Sequence, residues 1–365
     1  MTKKKFKKNI LIVTGGTGGH IYPAITVYDE LINNKLSVSI ITDIRGYNNH
    51  HLSKYEPDII NVKGYAGKSI IKKIISIVLI FHSCIKSFFI LKRKNIKLVI
   101  GFGSYVQVPV LIVAKILKIN IILHEANAVL GKANKIFWRF VTLRTSAYKI
   151  EYNNLESIVL GTPVRKEIVK LFNRSFREPL KEKKYRILIL GGSLGSLALS
   201  KNISKSLSNL PYKLRKNIQV THQVKKEQKK NVIIDYKLAN IKAEVKEFIE
   251  NIPYHLQISH LVICRAGAST IAENLTAKIP AIYIPLSTAI ENHQYLNIKN
   301  LLKMKAAWTF SEEKILKNEF INSVRKILTT KGLLSLYSNN ARSIAKPYAS
   351  KKFCSLVMGV FDAKL

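Results

Sequence analysis

The sequence predicts an α/β protein of two successive domains, each a parallel sheet covered by helices on both faces. Three observations carry this. Short apolar runs alternate with helical patterns, as in right-handed βαβ units. The same grammar restarts midway, with one Gly-rich turn at Gly15-Gly16 and another at Gly191-Gly192. And 365 residues, 47% of them hydrophobic, exceed one ordinary core but fill two.

In order along the chain, Asn9 to Thr14 reads as a buried strand that ends in Gly15-Gly16-Thr17-Gly18-Gly19-His20, followed by a helical pattern through Leu31. Further strands fit Ser37 to Thr42, Lys97 to Gly101 and Asn120 to His124. Gly161-Thr162-Pro163-Val164-Arg165 punctuates the chain, and the charged stretch Arg174 to Arg186 reads as a linker. The second set of strands is Tyr185 to Leu190, Asn217 to His222, Ala243 to Ile249, His260 to Cys264 and Ala281 to Ile284. The last third is mainly helical in pattern. Expected domains are residues 1–164 and 165–344, with the terminal helix at 345–365 packing back on the first.

Ile70 to Leu91 stands apart. Its longest charge-free stretch, Ile74 to Ile85, has 12 residues, short of the roughly 20 that span a hydrocarbon core. Lys72, Ser76, Ser83 and Ser87 fall in helical phase and leave a wide apolar face with Ile77, Val78, Phe81, Phe88 and Phe89. Such a helix is either buried or half in lipid headgroups.

The formal net charge is +38. It is compatible with lysine-rich coding bias, nucleic acid, an anionic membrane or an anionic substrate. No zinc-finger, RNP-type or basic-zipper pattern supports nucleic acid. The basic start, Met1 to Lys8, leads into a strand and not a signal core. Cys84, Cys264 and Cys354 share no metal or redox spacing, which fits a reducing compartment.

The chemistry gathers at turns. Gly15 to His20 lacks the Lys-Ser/Thr of a P-loop, and Ile21 stands where a dinucleotide fingerprint has its third glycine. The loop still suits a phosphate or sugar, because small residues let backbone N–H groups approach and the helix directs its positive end there. His20 at the helix start is the candidate base for an incoming hydroxyl. Gly191 to Ser196 is a second cradle, with Ser193 as donor, and Arg165 is placed to reach a diphosphate. In Cys264 to Glu273 a strand turns into a helix; Ser269 is the expected cap, and Glu273 an acceptor for ribose hydroxyls. Glu125 and Asn127, in His124-Glu125-Ala126-Asn127, lie at the carboxyl edge of the first sheet. His50-His51 reads as a solvated loop. No Asp-x-Asp pair occurs, which weakens a model with a metal on the diphosphate; leaving-group charge is then expected to fall to helix termini, Arg165 and backbone amides.

Taken in order, Gly15-Gly-Thr-Gly-Gly-His20-x-x-Pro23, His124-Glu125-x-Asn127, Gly161-x-Pro163-Val164-Arg165, Gly191-Gly192-Ser193, Cys264-Arg265-x-Gly267-Ala268 and His293-Gln294 resemble the MurG family of peptidoglycan N-acetylglucosaminyltransferases. The resemblance implies a GT-B glycosyltransferase fold, inversion at the anomeric carbon, no metal and no cofactor, and UDP-GlcNAc held mainly by the second domain. It implies a lipid-linked acceptor, lipid I, converted to lipid II, and peripheral attachment to the cytoplasmic face of the bacterial inner membrane, an anionic surface. By motif, Thr17, Gly18, Gly19 and Asn127 would meet the donor sugar, and Arg165 and Ser193 the diphosphate. Ile249 would meet the uracil and Ala268, Ser269 and Thr270 the phosphates. Glu273 would meet the ribose, with Ile271 and Ala272 in the same helical turn, and Gln294 the sugar. His20 would be the base, with Glu125 beside it. Thr162, Leu194 and Ser200 depart from the family's residues, and one extra residue lies between Pro285 and Gln294. The competing expectations are another GT-B enzyme, such as a diacylglycerol glycosyltransferase or a UDP-GlcNAc 2-epimerase, and a basic nucleic-acid-binding protein.

Overall fold

The structure is a computed structural model that describes residues 9–16, 18–62, 70–179, 184–192 and 196–362. Strand β1 (Asn9–Val13) sends Leu11 and Val13 into one apolar cluster and Ile10 and Ile12 into another. Burial on both faces is why its sequence is a continuous apolar run. It is followed by α1 (Gly18–Asn33), β2 (Ser37–Thr42), β3 (Asp58–Ile59), α2 (Ile70–Arg93), β4 (Leu98–Gly101), α3 (Gln107–Ile116) and β5 (Asn120–Glu125). Then come α4 (Lys132–Phe137), β6 (Leu143–Ser146), a hairpin of β7 (Glu151–Tyr152) and β8 (Leu155–Glu156), and β9 (Ile158–Val159). The sheet is parallel, in the order β3-β2-β1-β4-β5-β6-β9.

The second sheet repeats the plan. Its elements are β10 (Tyr185–Leu190), α5 (Leu197–Ser208), β11 (Ile218–Gln223), α6 (Lys229–Leu238), β12 (Lys242–Lys246), α7 (Ile252–Ile258) and β13 (Leu261–Cys264). After these come α8 (Ala268–Ala277), β14 (Ala281–Tyr283), α9 (His293–Lys303), β15 (Ala307–Thr309), α10 (Asn318–Thr329) and α11 (Leu333–Ile344). The order β12-β11-β10-β13-β14-β15 is again parallel. In each sheet the strand order reverses beside the first strand, at β1/β4 and at β10/β13. Loops at the carboxyl ends of those strands therefore form the crevice where open α/β sheets bind ligands. One compact unit comprises Met1–Val164 with Tyr348–Leu365, and the other Arg165–Pro347. The last helix, α12 (Ala349–Asp362), lies in the first unit and packs Phe353, Cys354, Val357 and Val360 into its core.

Several boundaries differ from the sequence reading. The strand expected to reach Ile249 stops at Lys246, because the chain bends at Glu247. Arg186 is part of β10 and not of a linker. Strands β3 and β9, of 2 residues each, are too short to be read in advance, and β6, Leu143-Arg144-Thr145-Ser146, is too polar. His51 is half-buried on a short helix, His50–Ser53, with its ring 5.4 Å from Tyr22, and not in a solvated loop.

Helix α2 is inside out. Ser76, Ser83 and Ser87 are buried, Ser83 at 1% exposure, while Phe81 (68%), Phe89 (63%), Ile77 and Val78 face outward. The serines turn inward because their small side chains bond to nearby carbonyls: Ser83 Oγ donates to Asn61 O, and Ser87 Oγ to Ser83 O. Its inner side also packs on α3. The buried reading therefore fails for the phenylalanines. Against the length argument, Ile75–Arg93 is long and apolar enough to cross a membrane by length and composition alone. Its place as the crossover between β3 and β4, with the serine face tied to the core, makes it part of the folded unit.

Candidate active site

The first Gly-rich turn is held from below by Asp43, which follows β2 and was not singled out from sequence. Its Oδ1 accepts Gly16 N–H at 3.1 Å and Gly46 N–H at 2.9 Å, and its Oδ2 pairs with Arg45 at 3.0 Å. The fit demands glycine. A Cβ on Gly15 would lie 2.7 Å from Asp43 Oδ1, and Gly16 has φ +79°. Gly18 and Gly19 open α1, and His20 lies in its first turn. The imidazole rests on Gly103, in the loop after β4, where a Cβ would sit 2.9 Å from ring atoms Cε1 and Nδ1. Thr17 lies outside the described residues.

The loop after β5 holds Glu125 and Asn127. Glu125, 3% exposed, accepts four bonds: Asn127 N–H (3.0 Å) and Asn127 Nδ2 (3.2 Å) on Oε1, and Gly131 N–H and Asn134 Nδ2 (both 2.8 Å) on Oε2. Expected beside His20, Glu125 has its carboxylate engaged in shaping the loop that carries Asn127. Its neighbour His124 is unsuited to proton transfer. Thr145 Oγ1 donates to Leu123 O, so at 3.1 Å it accepts from His124 Nδ1–H, which fixes the neutral tautomer. Burial lowers the His124 pKa to about 3. Phe102 and Phe353 flank the ring at 5.6 and 5.8 Å.

In the second unit, Gly191-Gly192 ends β10, with Gly192 at φ +81°, and Ser196 caps α5 by accepting Leu199 N–H at 3.2 Å. Ser193, with Leu194 and Gly195, lies outside the described residues. Gly267, not Ser269, is the N-cap of α8, so Ser269 sits inside the first turn. The first helical bond runs from Ile271 N–H to Gly267 O. The N–H groups of Ala268, Ser269 and Thr270 precede it and form the positive end of the helix. The Ile271 side chain is buried, and Ala272 is half-buried in the same turn.

Glu273, with a side chain 13% exposed, meets Arg165. Nε donates to Oε1 at 2.9 Å, and Nη2 lies 2.8 Å from the same oxygen. Burial raises the Glu273 pKa, and the Arg165 charge and hydrogen bond pull it back down. Gln294 Oε1 accepts Leu286 N–H at 2.9 Å and closes the loop before α9, where Glu291 and Asn292 adopt left-handed φ. Ile249 is buried just beyond β12. Arg265 ties these loops together. Its guanidinium donates to Ser196 Oγ (2.7 Å), Ile284 O (3.2 Å) and Pro285 O (3.4 Å) and pairs with Glu312. Asn297 Nδ2 adds a bond to Ala266 O at 3.2 Å.

Among the described residues no three His, Cys, Asp or Glu side chains gather as a metal site. A cavity of about 370 Å³ in the second unit lies at the other end of the strands, beside His260 and Ile279, away from these loops.

Residues 10–144 match the glycosyltransferase family 28 N-terminal domain, and residues 186–352 match its C-terminal domain. A Francisella tularensis UDP-N-acetylglucosamine–N-acetylmuramyl-(pentapeptide) pyrophosphoryl-undecaprenol N-acetylglucosamine transferase is 32% identical over 98% of this chain and 99% of its own length. The Rhodospirillum rubrum enzyme of the same name is 29% identical over 98% and 93%. The crystal structure of Acinetobacter baumannii MurG aligns with a TM-score of 0.76 at 28% identity, covering 96% of this chain and 99% of that one. A UDP-GlcNAc 2-epimerase from Neisseria meningitidis shares the fold at 14% identity, with a TM-score of 0.66 over 96% and 100% of the two chains. Two parallel-sheet units with ligand-type turns at both switch points, in a chain that follows these transferases over almost its whole length, make it a GT-B glycosyltransferase of family 28, and it belongs to the MurG family of N-acetylglucosaminyltransferases.

Proposed function

We propose that this chain moves GlcNAc from UDP-GlcNAc to the lipid-linked MurNAc-pentapeptide of lipid I, inverting the anomeric carbon and producing lipid II. The observation that carries the residue assignment is the contrast between His20 and Glu125. One ring stands in the first turn of α1 over Gly103; the other group has four donors on its carboxylate. His20 takes the proton from the acceptor hydroxyl as its oxygen attacks C1, and UDP departs from the opposite face. Asn127, with Thr17, Gly18 and Gly19, meets the donor sugar, as does Gln294 Nε2.

Charge on the departing UDP falls to the positive ends of α5 and α8, through the Gly191–Ser193 turn and Ala268–Thr270, and to Arg165. Glu273 offers Oε2 to the ribose hydroxyls while Arg165 holds Oε1. Ile249 lies against the uracil. The outward apolar face of α2, with exposed Lys86 and Lys92, rests on the anionic cytoplasmic surface of the inner membrane and keeps the enzyme where its lipid acceptor lies. Nucleic acid is not a partner in this reading.

Incubation with UDP-GlcNAc and lipid I, followed by analysis of the lipid products, tests it. A disaccharide lipid is expected, with release of UDP only when acceptor is present. Conversion of the donor sugar to its 2-epimer without acceptor would place the chain with the epimerases that share its fold.

A further inference from the structure

A line of buried amides joins the two loops of the first unit that flank the reaction. It starts at Gly103, whose N–H donates to Gln107 Oε1 at 3.0 Å. Gln107 Nε2 donates to Asn134 Oδ1 at 2.6 Å, and Asn134 Nδ2 donates to Glu125 Oε2 at 2.8 Å. Glu125 Oε1 then holds the main-chain N–H and side-chain amide of Asn127. Both ends are chemically fixed, a backbone N–H at one and a carboxylate at the other. Each amide therefore has a single orientation that satisfies the chain. Gln107 and Asn134 are both buried. Gly101 makes room for the line, since a Cβ there would fall 2.6 Å from Gln107 Oε1. At the far end Gly103 is the surface on which the His20 ring rests.

We infer that Gln107 and Asn134 are positioning residues, which hold the floor under His20 in register with the loop that presents Asn127. Neither touches substrate. Their effect is on the geometry between the deprotonated acceptor oxygen and the sugar it attacks, where a misplacement of about 1 Å costs about 100-fold. The inference rests on the transferase reading of His20 and Asn127.

The test uses the full chain with Gln107→Leu, Asn134→Leu, their double variant and Gln107→Glu. The last keeps an acceptor for Gly103 N–H but, ionised, has no proton for Asn134. Steady-state rates with UDP-GlcNAc and a short-chain lipid I analogue should show kcat lower by about 10- to 100-fold, with the donor KM within about threefold. The double variant should lose no more than the worse single, because both cut one line. Amide hydrogen exchange of the unliganded protein supplies a readout independent of activity: Gln107→Leu should speed exchange at Asn127 and Gly131, at the opposite end from the substitution. If Gln107→Leu fails to fold, Gln107→Glu carries the same comparisons. Rates within threefold of wild type in folded variants, losses that multiply in the double, or unchanged exchange at Asn127 and Gly131 would overturn the inference. Wild-type protein inactive on both substrates, with the exchange coupling intact, would instead overturn the transferase reading.

Discussion

Arg165→Met tests the most exposed assumption about donor recognition, that the Arg165–Glu273 pair prepares Glu273 to bind ribose. Both side chains are largely buried, and two N–H groups of Arg165 reach one carboxylate oxygen. Burial alone raises the Glu273 pKa, and Arg165 opposes that. Without Arg165 the carboxylate is buried and unpaired, so its pKa rises further and the ionised form, the better acceptor for two hydroxyls, is depleted. Hydrogen bonds to a charged acceptor are worth about 1.5–3 kcal/mol each. Losing the equivalent of one raises the donor KM by roughly 10- to 150-fold. The assay is donor KM against pH for wild type, Arg165→Met and Glu273→Gln. In wild type KM should climb as pH falls and Glu273 takes a proton; in Arg165→Met that climb should begin at higher pH; in Glu273→Gln it should vanish. Direct loss of a diphosphate contact would raise KM at every pH without moving the climb. An unmoved pH dependence in Arg165→Met, or one that persists in Glu273→Gln, refutes the reasoning.

Replacing His20 by Ala should lower kcat by about 10²–10⁴-fold with donor binding by calorimetry nearly unchanged; loss of binding with kcat preserved would remove it as the base. Phe81→Ser with Phe89→Ser should abolish sedimentation with anionic vesicles while leaving the melting temperature in place, since both rings face outward; a collapsed melting temperature would show them to be core. His124 and His222, both lowered to about 3 by burial, bind the proton in the unfolded chain first. Stability should therefore fall as pH drops from about 6.5 towards 3, by up to about 1.4 kcal/mol per pH unit for each histidine. His222→Asn should flatten that slope in urea titrations, and an unchanged slope would contradict the burial argument.

The alternating grammar was legible because buried parallel strands such as Ile10–Val13 and Ile187–Leu190 have no polar face to disguise them. Glycine turns at 15–16 and 191–192 were legible because positive φ at Gly16 and Gly192 leaves few other choices. Residues that act by holding a loop were not. Asp43 looks like any residue ending a strand, and only the two N–H groups converging on its Oδ1 reveal it. Gln107 and Asn134 bond each other across 27 positions, a relation that no local pattern expresses. The loop-shaping part of Glu125 was hidden for a related reason: only the four donors that converge on its carboxylate reveal it. The inward serines of α2 fell in phase in the sequence, but phase alone does not say which side of a helix meets the core.

Helix α12 sets an order of assembly. The polypeptide between Arg165 and Pro347 is continuous and has its own sheet and core, so it can fold as it leaves the ribosome. The first unit, although synthesised earlier, needs Phe353, Val357 and Val360 to complete the cover that α1 begins on one side of its sheet. Phe353 stacks on Phe102 at 5.6 Å and meets His124, the residue before Glu125. The loop that begins at Glu125 is thus braced by a helix that follows the whole second unit along the chain. Until then the side of the sheet that carries Ile10, Ile12 and Leu98 has α1 for cover but not the rings and methyls of α12, a partly apolar nascent-chain surface suited to chaperone capture.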